Sequence, residues 1–251
     1  MAVEHWLKHL ELAPKTKHHI RALMHQIFEA ARRWELTASN PMELVRVKDS
    51  SKRLKTPTVI TPQQFQQIVD SVPERFRLMV IIAGCLGLRA SEIVGLRWED
   101  FDWETGTVNV CRSVVHGRVD EVKTEYSQDR LPLDETLIEL VRHRREQLGR
   151  PEEGWLFPSS RTGRPYHQEE IQKKYLSVAG RSVGVQGRVG WHTFRHSYRS
   201  WLAEVGTELE IQKGLMRHAS ISTTINIYGR TPDSGKRQAQ SKVVQMLLPP
   251  K

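Results

Sequence analysis

The sequence predicts a mainly α-helical protein with one small antiparallel β-sheet, an α+β fold. Apolar residues recur at helical spacing before and after the middle of the chain, whereas residues 107–133 alternate with a period of two. Of the 251 residues, 38% are hydrophobic and 27% are charged, a composition that supports a folded core. Two periodicities and a globular composition therefore predict the fold class.

The first quarter of the chain predicts a helical unit, assigned to residues 1–50. Between Pro14 and Leu36 the apolar residues follow the spacing of one buried helix face: Ile20, Leu23, Met24, Ile27, Phe28, Ala31 and Trp34. The stretch SNPMELV that follows predicts a turn and a short second helix. Residues 51–58 are polar, basic and contain proline, which predicts a linker.

Over half of the excess positive charge lies in the first quarter of the chain, which includes the linker. The chain has a formal net charge of +9, and the residues before Thr56 carry 11 Lys and Arg against 6 Asp and Glu. Such a concentration favours a polyanionic partner, nucleic acid before a membrane; a solvated basic surface is the alternative. Lys15, Lys17 and Arg21 are the candidates in the first helix for contacts with DNA phosphates.

Cysteine usage and hydropathy indicate a cytoplasmic protein. Cys85 and Cys111 are far apart, which argues against a disulfide framework and a thiolate zinc site. The N-terminus lacks the apolar core of a signal peptide. The longest apolar run, Leu78 to Leu88, is shorter than the roughly 20 residues that span a bilayer. It predicts a buried helix.

Residues 59–232 predict a larger, mostly helical unit. Thr61 and Gln64 can form a capping box around Pro62 at the start of one helix, and a second helix is expected over 73–85. After the glycines of GCLGLRASEI, Ser91 is expected to cap the next helix. The stretches TVNV, RSVVHG and DRLPL predict short strands, followed by helices after LPLDET and a loop at PSSRTGRP.

The segment WHTFRHS carries two histidines, His192 and His196, at the spacing that a zinc-binding helix uses. A zinc peptidase helix also needs a glutamate beside the first histidine as general base, and here that position is Thr193. Arg195 would repel a metal ion, whereas a guanidinium binds a phosphate strongly. The sequence therefore favours an oxyanion site at His192 and Arg195; a structural hydrogen-bonded pair is the alternative.

Three further stretches contain residues suited to phosphate chemistry. GLRASE presents Arg89 after a glycine turn, with Glu92 able to orient its guanidinium; a helix-cap salt bridge is the alternative. VKTEYSQDRLPL places Lys123 in a turn between strands, where a solvent-exposed lysine is the alternative. RHASISTTINIYGR offers His218 and Tyr228. A tyrosine can act as a nucleophile when cations stabilise its phenolate, although a core tyrosine is the commoner case.

In this order the residues resemble the signature of the tyrosine recombinase (phage integrase) family, over about residues 57–232. GLRASE resembles the first arginine box of that family, and VKTEYSQDRLPL the strand–turn–strand that bears its lysine. HTFRHS resembles the second box, and RHASISTTINIYG the last. The resemblance implies an integrase-like catalytic domain after a partial helical core-binding domain, with these catalytic residues: Arg89, Lys123, His192, Arg195, His218 and Tyr228.

The resemblance also implies an activity. A site-specific recombinase or integrase cleaves and rejoins double-stranded DNA through a 3′-phosphotyrosine link, with no metal, ATP or other cofactor and no small-molecule substrate. Tyr228 would attack the phosphodiester, Arg89 and Arg195 would bind its non-bridging oxygens, and Lys123 would protonate the departing 5′ hydroxyl. The two histidines of the signature would hydrogen-bond the phosphate, and Glu92 would support Arg89. The protein would be associated with the nucleoid.

The sequence departs from the family pattern at both ends. About 50 residues precede the linker, roughly half of the expected core-binding domain. The glycine that often precedes the last histidine is Arg217 here, an added cation that can contact DNA or face solvent. Residues 233–251 carry apolar residues at helical spacing. The resemblance implies that this tail docks on a neighbouring protomer of a homotetramer on DNA; a tail packed on its own domain is the alternative. The free protein is expected to be a monomer or weak dimer.

Two other functions remain open at this level. One is a DNA-binding remnant of an integrase that has an incomplete clamp and recombines little or no DNA. The other is a type IB topoisomerase-like enzyme, which shares the tyrosine chemistry but relaxes supercoils as a monomer. The complete set of signature residues favours the recombinase over the remnant.

Overall fold

The computed structural model describes residues 2–48, 56–121 and 130–217. The chain divides into two compact units, residues 1–56 and 57–251. Helices dominate both units in the part that is described, and the strands there are short and antiparallel. The predicted α+β class is confirmed.

Two helices, α1 (Ala2–His9) and α2 (Pro14–Arg33), form most of the first unit. Pro14 lies in the first turn of α2, where its missing N–H removes no helical hydrogen bond. Part of the predicted apolar face of α2 packs on a small cluster that comprises Leu7, Ile20, Met24, Phe28, Met42 and Val45. The rest of that face is exposed, namely Leu23, Ile27 and Trp34.

Residues 41–47 form turns, so the short second helix expected there is wrong. The buried Asn40 accepts a hydrogen bond from the Met42 backbone N–H through Oδ1 (2.9 Å) and donates through Nδ2 to Glu29 Oε1 (2.7 Å). Arg21 donates Nε to the Val45 carbonyl and Nη2 to the Met42 carbonyl, both at 3.0 Å. Side chains therefore satisfy backbone groups that a helix would have used.

The second unit begins with α3 (Pro62–Ser71) and α4 (Glu74–Leu86). The predicted capping box is confirmed, because the Thr61 hydroxyl accepts from the Gln64 N–H and the Gln64 side chain accepts from the Thr61 N–H, each at 3.1 Å. The long apolar run lies in α4, whose side chains are largely buried in the main core. Across the described residues, no helix is both long and apolar enough to cross a membrane.

The strands form two small sheets in place of the one expected. They are β1 (Phe101–Asp102), β2 (Thr107–Asn109), β3 (Arg112–Val115), β4 (Arg118–Glu121) and β5 (Arg130–Pro132). In the three-stranded sheet β1-β2-β5, Val108 of β2 pairs with Phe101 of β1 and with Leu131 of β5. Among the described strands, β3 pairs with β4 and not with the first sheet, and its Arg112 binds Asp100 at 2.6 Å. β3 also packs on α5 (Ala90–Ile93).

The remaining helices surround the core. Asp134 caps α6 (Glu135–Gln147), and a π-helical segment, Gln172–Leu176, joins α7 (Gln168–Ile171) to α8 (Ser177–Ser182). The last two described helices are α9 (Trp191–Glu204) and α10 (Leu209–Met216). α9 packs against α4, which brings the segments GLRASE and HTFRHS close together.

A glycine at the end of α4 allows this approach. Gly87 is left-handed (φ +59°), and a Cβ at its position would lie 2.4 Å from Cδ1 of Tyr198 on α9. Any other residue there would combine an unfavourable backbone with a steric clash.

We expect Gly87→Ala to lower the free energy of unfolding by about 1–3 kcal/mol, because strain and overpacking add. Gly214→Ala is the matched control, since a Cβ at Gly214, inside α10, would meet no neighbouring atom within 4 Å. Alanine there should raise stability by roughly 0.5–1 kcal/mol. Urea unfolding of the three proteins measures both, and equal stability of the two variants would contradict the steric argument.

Candidate active site

The turn between α4 and α5 presents Arg89 at the surface. Its backbone is extended (φ −71°, ψ 147°) at the residue that precedes α5, and its side chain is 42% exposed. Glu92 accepts from the Arg89 backbone N–H through Oε2 and from Arg89 Nη1 through Oε1, each at 2.8 Å. Glu92 therefore caps α5, and the prediction that Ser91 does so is wrong because Ser91 lies inside the helix. The expected support of Arg89 by Glu92 is present in the structure.

Glu92 is almost completely buried, at 2% exposure, and it contacts a second arginine. Its Oε2 lies 3.3 Å from Nη1 of Arg217. Burial acts to raise the pKa of the Glu92 carboxyl, but the charges of Arg217 and Arg89 and the hydrogen bonds from Arg89 outweigh it and lower the pKa. Glu92 is therefore ionised at neutral pH and bound between two guanidinium groups.

The first turn of α9 carries His192. The helix begins after Gly190, whose N–H donates to the Thr193 hydroxyl at 3.1 Å. Thr193 thus has a structural task at the position where a zinc peptidase needs its glutamate. The rings of His192 and His196 lie 6.3 Å apart, centroid to centroid. Over residues 2–48, 56–121 and 130–217, no group of three or more His, Cys, Asp or Glu side chains is arranged to hold a metal ion.

Arg195, one turn further along α9, is buried at 7% exposure. It donates Nη1 to the carbonyl of Gly87 and Nη2 to the carbonyl of Met216. The first of these carbonyls belongs to the turn that carries Arg89, and the second ends α10. One guanidinium therefore joins HTFRHS to GLRASE and to the residue directly before RHASISTTINIYGR.

The charges of Arg89 and Arg195 both act on His192. Desolvation by the surrounding protein, followed by the positive charges of Arg195 and Arg89, lowers the pKa of His192 below its usual range. At neutral pH the imidazole is therefore uncharged and can both donate and accept a hydrogen bond. The three side chains together form one electropositive site.

The structure thus brings together Arg89, Glu92, His192 and Arg195, while the other candidate catalytic residues, Lys123, His218 and Tyr228, lie outside the described residues. His218 directly follows Arg217, which is described. The expected tail, residues 233–251, also lies outside them.

Two of the expected DNA-contacting arginines are engaged inside the protein. Arg217 is 3% exposed and donates Nη2 to the Val110 carbonyl at 3.1 Å besides its contact with Glu92, so the structure does not support the DNA contact or the solvent-facing position expected for it. Arg21 binds backbone carbonyls within the first unit, which likewise argues against a DNA contact. Lys17 donates to the Lys8 carbonyl at 2.7 Å, and Lys15 is exposed.

Sequence reasoning missed the Arg217–Glu92 pair and the acceptor role of the Gly87 and Met216 carbonyls. One signal was available for the pair. Arg217, directly before the last histidine, stands at a helix end, where glycine is favoured. A long charged residue at such a position often indicates that its side chain makes a required contact. The residue types gave no indication that the Gly87 and Met216 carbonyls accept hydrogen bonds from Arg195.

We expect the pKa of His192, measured by NMR titration of its ring protons, to lie below that of an unperturbed histidine, which is about 6.5. Arg89→Met should raise that pKa, because one of the nearby positive charges is removed. Arg144→Met, on α6, is the control and should leave it unchanged, because the charges that act on His192 are those of Arg195 and Arg89. A His192 pKa that does not respond to Arg89 would show that the two groups are not close in solution.

The comparisons with known proteins agree on one family. The sequence profile of the phage integrase family matches residues 58–234. A tyrosine recombinase of Pseudothermotoga lettingae is 26% identical over 208 residues, which cover 82% of this chain and 67% of the relative. The tyrosine recombinase XerC of Proteus mirabilis is 28% identical over 194 residues, which cover 75% of this chain and 59% of the relative. The chain spans between 45% and 68% of the length of such curated relatives.

Solved structures show the same fold at low identity. The integrase of the Tn1549 transposon, in complex with a circular intermediate DNA, superposes with a TM-score of 0.74 at 20% identity, over 96% of this chain and 84% of that one. The XerH recombinase bound to its palindromic difH substrate gives a TM-score of 0.67 at 19% identity, over 97% of this chain and 71% of that one. Since the profile match covers most of the sequence and includes every described residue of the candidate site, the chain belongs to the phage integrase family of tyrosine recombinases.

Proposed function

We propose that this chain is a site-specific DNA recombinase that cleaves and rejoins double-stranded DNA with Tyr228 as the nucleophile. The observation that carries the proposal is the electropositive cluster of Arg89, His192 and Arg195, in which the buried Glu92 fixes Arg89. Relatives named tyrosine recombinase and integrase support this class of activity.

The cluster suits the charge that develops during phosphodiester cleavage. Attack on phosphorus gives a pentavalent transition state with extra negative charge on its non-bridging oxygens. Arg89 is held by the two hydrogen bonds that it donates to Glu92 while its side chain stays partly exposed, so it can meet a phosphate without reorganising. Fixed donors of this kind are usually the largest single catalytic contribution, and loss of one costs about 10²–10³-fold in rate.

Arg195 and His192 complete the described part of this site. Arg195 adds a second positive charge close to His192, and its bonds to the Gly87 and Met216 carbonyls hold the surrounding segments in place. His192 is uncharged before DNA arrives, so it can hydrogen-bond a phosphate oxygen or take up a proton. Its position in the first turn of α9, at the positive end of the helix, also favours an anion.

The balanced reaction uses three residues beyond the described part. The Tyr228 oxygen bonds to phosphorus, the bond from phosphorus to the 5′ oxygen breaks, and a 3′-phosphotyrosine link results. The phenolic proton passes to His192 or His218, and Lys123 protonates the departing 5′ oxygen. A 5′ hydroxyl of a second strand then reverses the attack. The link preserves the bond energy, so the proposed reaction uses no ATP. It uses no metal ion because the arginines supply the positive charge.

The proposed organisation follows the sequence boundaries. Residues 1–50 would be a partial core-binding domain that lies on DNA, 51–58 a basic linker and 59–232 the catalytic domain. Residues 233–251 would connect protomers in a homotetramer on DNA. Lys15 is the exposed candidate for a phosphate contact in the first unit.

We expect a covalent protein–DNA adduct on a suicide substrate, detected on a denaturing gel in the presence of EDTA. The substrates are nicked fragments of the DNA that adjoins the gene, because a nick lets the short piece that carries the new 5′ hydroxyl diffuse away and so traps the adduct. Tyr228→Phe should abolish the adduct. Tyr198→Phe is the control and should retain it, because burial raises the pKa of Tyr198 to about 12 and its ring packs over Gly87.

Loss of the adduct in the Tyr198 variant together with retention in the Tyr228 variant would overturn the assignment of the nucleophile. DNA binding without an adduct on any substrate would favour the DNA-binding remnant. Relaxation of supercoiled plasmid by a monomer, with no exchange between sites, would favour the topoisomerase.

We expect deletion of residues 235–251 to impair assembly on DNA, because their helical apolar pattern suits a contact between protomers. Native gel shifts with a two-site DNA measure the number of protomers bound. Identical assembly by the full-length and shortened proteins would rule out this role of the tail.

A further inference from the structure

Arg217 occupies an unfavourable backbone conformation in the second unit. It ends α10 in the left-handed region (φ +52°, ψ 50°), where glycine is preferred because a side chain is strained there. Its side chain is 1% exposed. A buried guanidinium on a strained backbone is disfavoured unless its contacts compensate.

Those contacts connect three parts of the second unit. Nη2 donates to the carbonyl of Val110, the residue after β2, at 3.1 Å, and Nη1 lies 3.3 Å from Oε2 of Glu92 on α5. The same Oε2 accepts the Arg89 backbone N–H, and Oε1 accepts Arg89 Nη1, at 2.8 Å each. Arg217 therefore acts on the carboxylate that orients Arg89, although it has no exposed surface of its own.

We propose that Arg217 is a positioning residue for DNA cleavage: by sharing the Glu92 carboxylate with Arg89, it fixes the direction in which Arg89 meets the phosphate. The inference rests on the proposed function. It also assigns a task to a position that sequence reasoning had treated as an extra DNA contact.

Charge explains why the second arginine matters. Burial is the largest influence on Glu92 and acts to raise its pKa, and Arg217 is the strongest of the opposing influences. Among the described residues, Arg89 is the second cation that lowers the pKa of this carboxyl. Further charged or titratable side chains lie on the neighbouring elements. Arg112 on β3 is paired with Asp100, and Lys213 on α10 is paired with Glu210. Burial raises the pKa of the Cys85 thiol, in the last turn of α4.

Removal of Arg217 should therefore raise the pKa of Glu92. Below the new pKa the carboxyl is protonated and loses its ionic bond to Arg89, so cleavage should fall at a higher pH than in the wild-type protein. In a plot of rate against pH, the acidic fall in rate is therefore shifted to higher pH, and the rate recovers at more alkaline pH. A loss of stability alone would lower the rate at every pH.

The experiment compares Arg217→Met with Arg150→Met in single-turnover cleavage of the suicide substrate across pH. Arg150 is a matched control, since it also has a positive φ (58°) and pairs with a glutamate, Glu146, but lies at the surface. We expect Arg217→Met to cleave about 10–10²-fold more slowly near neutral pH with DNA binding retained, because protonation of Glu92 releases Arg89 and a small misplacement of such a group costs about that much. Arg150→Met should behave as wild type.

Arg217→Lys tests the role of the positive charge, because it keeps a cation that can reach Glu92. Its result depends less on correct folding than that of Arg217→Met. It should recover part of the rate and return the acidic fall in rate toward the wild-type position. A double-mutant cycle with Glu92→Gln tests the route of action. If Arg217 acts through Glu92, the double variant cleaves no more slowly than Glu92→Gln alone. Independent, multiplying losses would overturn the proposal.

A measurement without DNA separates this inference from the proposed function. The Glu92 carboxyl is titrated by ¹³C NMR, with Glu92→Gln identifying its signal. A higher Glu92 pKa in Arg217→Met but not in Arg150→Met supports the shared carboxylate even if the wild-type protein forms no adduct, in which case the proposed function alone fails. An unchanged Glu92 pKa in Arg217→Met overturns the inference whether or not the protein cleaves DNA.

Discussion

The hydrogen bonds of Arg195 are the interaction on which the candidate site depends. Its guanidinium binds the carbonyls of Gly87 and Met216, which lie 108 and 21 residues away in the sequence. Helix α9 is thereby joined to the turn that bears Arg89 and to the end of α10, two residues before His218 in the sequence. Because Arg195 is buried, its removal would leave two carbonyls without this donor, and a buried acceptor left unsatisfied typically costs about 1–3 kcal/mol. The side chain that supplies charge also maintains the geometry.

The second constraint is the balance of charge around Glu92. A buried carboxylate is tolerated when cations and N–H groups surround it, and here Arg89 and Arg217 provide both. Arg89 remains partly exposed while its inner side is fixed, which is the arrangement that a phosphate-binding arginine requires. Burial, together with the positive charges of Arg195 and Arg89, lowers the pKa of His192, so the imidazole is uncharged at neutral pH. An arriving phosphate would reverse this preference, because an anion stabilises the protonated imidazole.

In the first unit, a net positive charge does not mean that each cationic side chain is available to contact DNA. Its net positive charge suggested that Lys15, Lys17 and Arg21 bind phosphates, yet Arg21 holds the turns after α2 and Lys17 reaches the Lys8 carbonyl. A long cationic side chain can satisfy backbone groups of its own domain, and a charge count does not distinguish the two uses. The same arginine explains why SNPMELV forms turns, since its donors take the carbonyl groups of that segment.

The sequence by itself determined the features that depend on neighbouring residues. The capping box of Thr61 and Gln64, the buried helix over 74–86 and the pairing of Arg89 with Glu92 all involve residues a few positions apart, and residue type and spacing specify such contacts. The ordered signature residues also identified the family, which the profile match confirms. Tertiary structure alone decided that Arg195 binds the carbonyls of Gly87 and Met216, that Arg217 turns inward to Glu92, and that β3 leaves the first sheet to pair with β4. Backbone carbonyls are present at every residue and carry no sequence signal, so only the packing of distant segments selects which of them an arginine will bind.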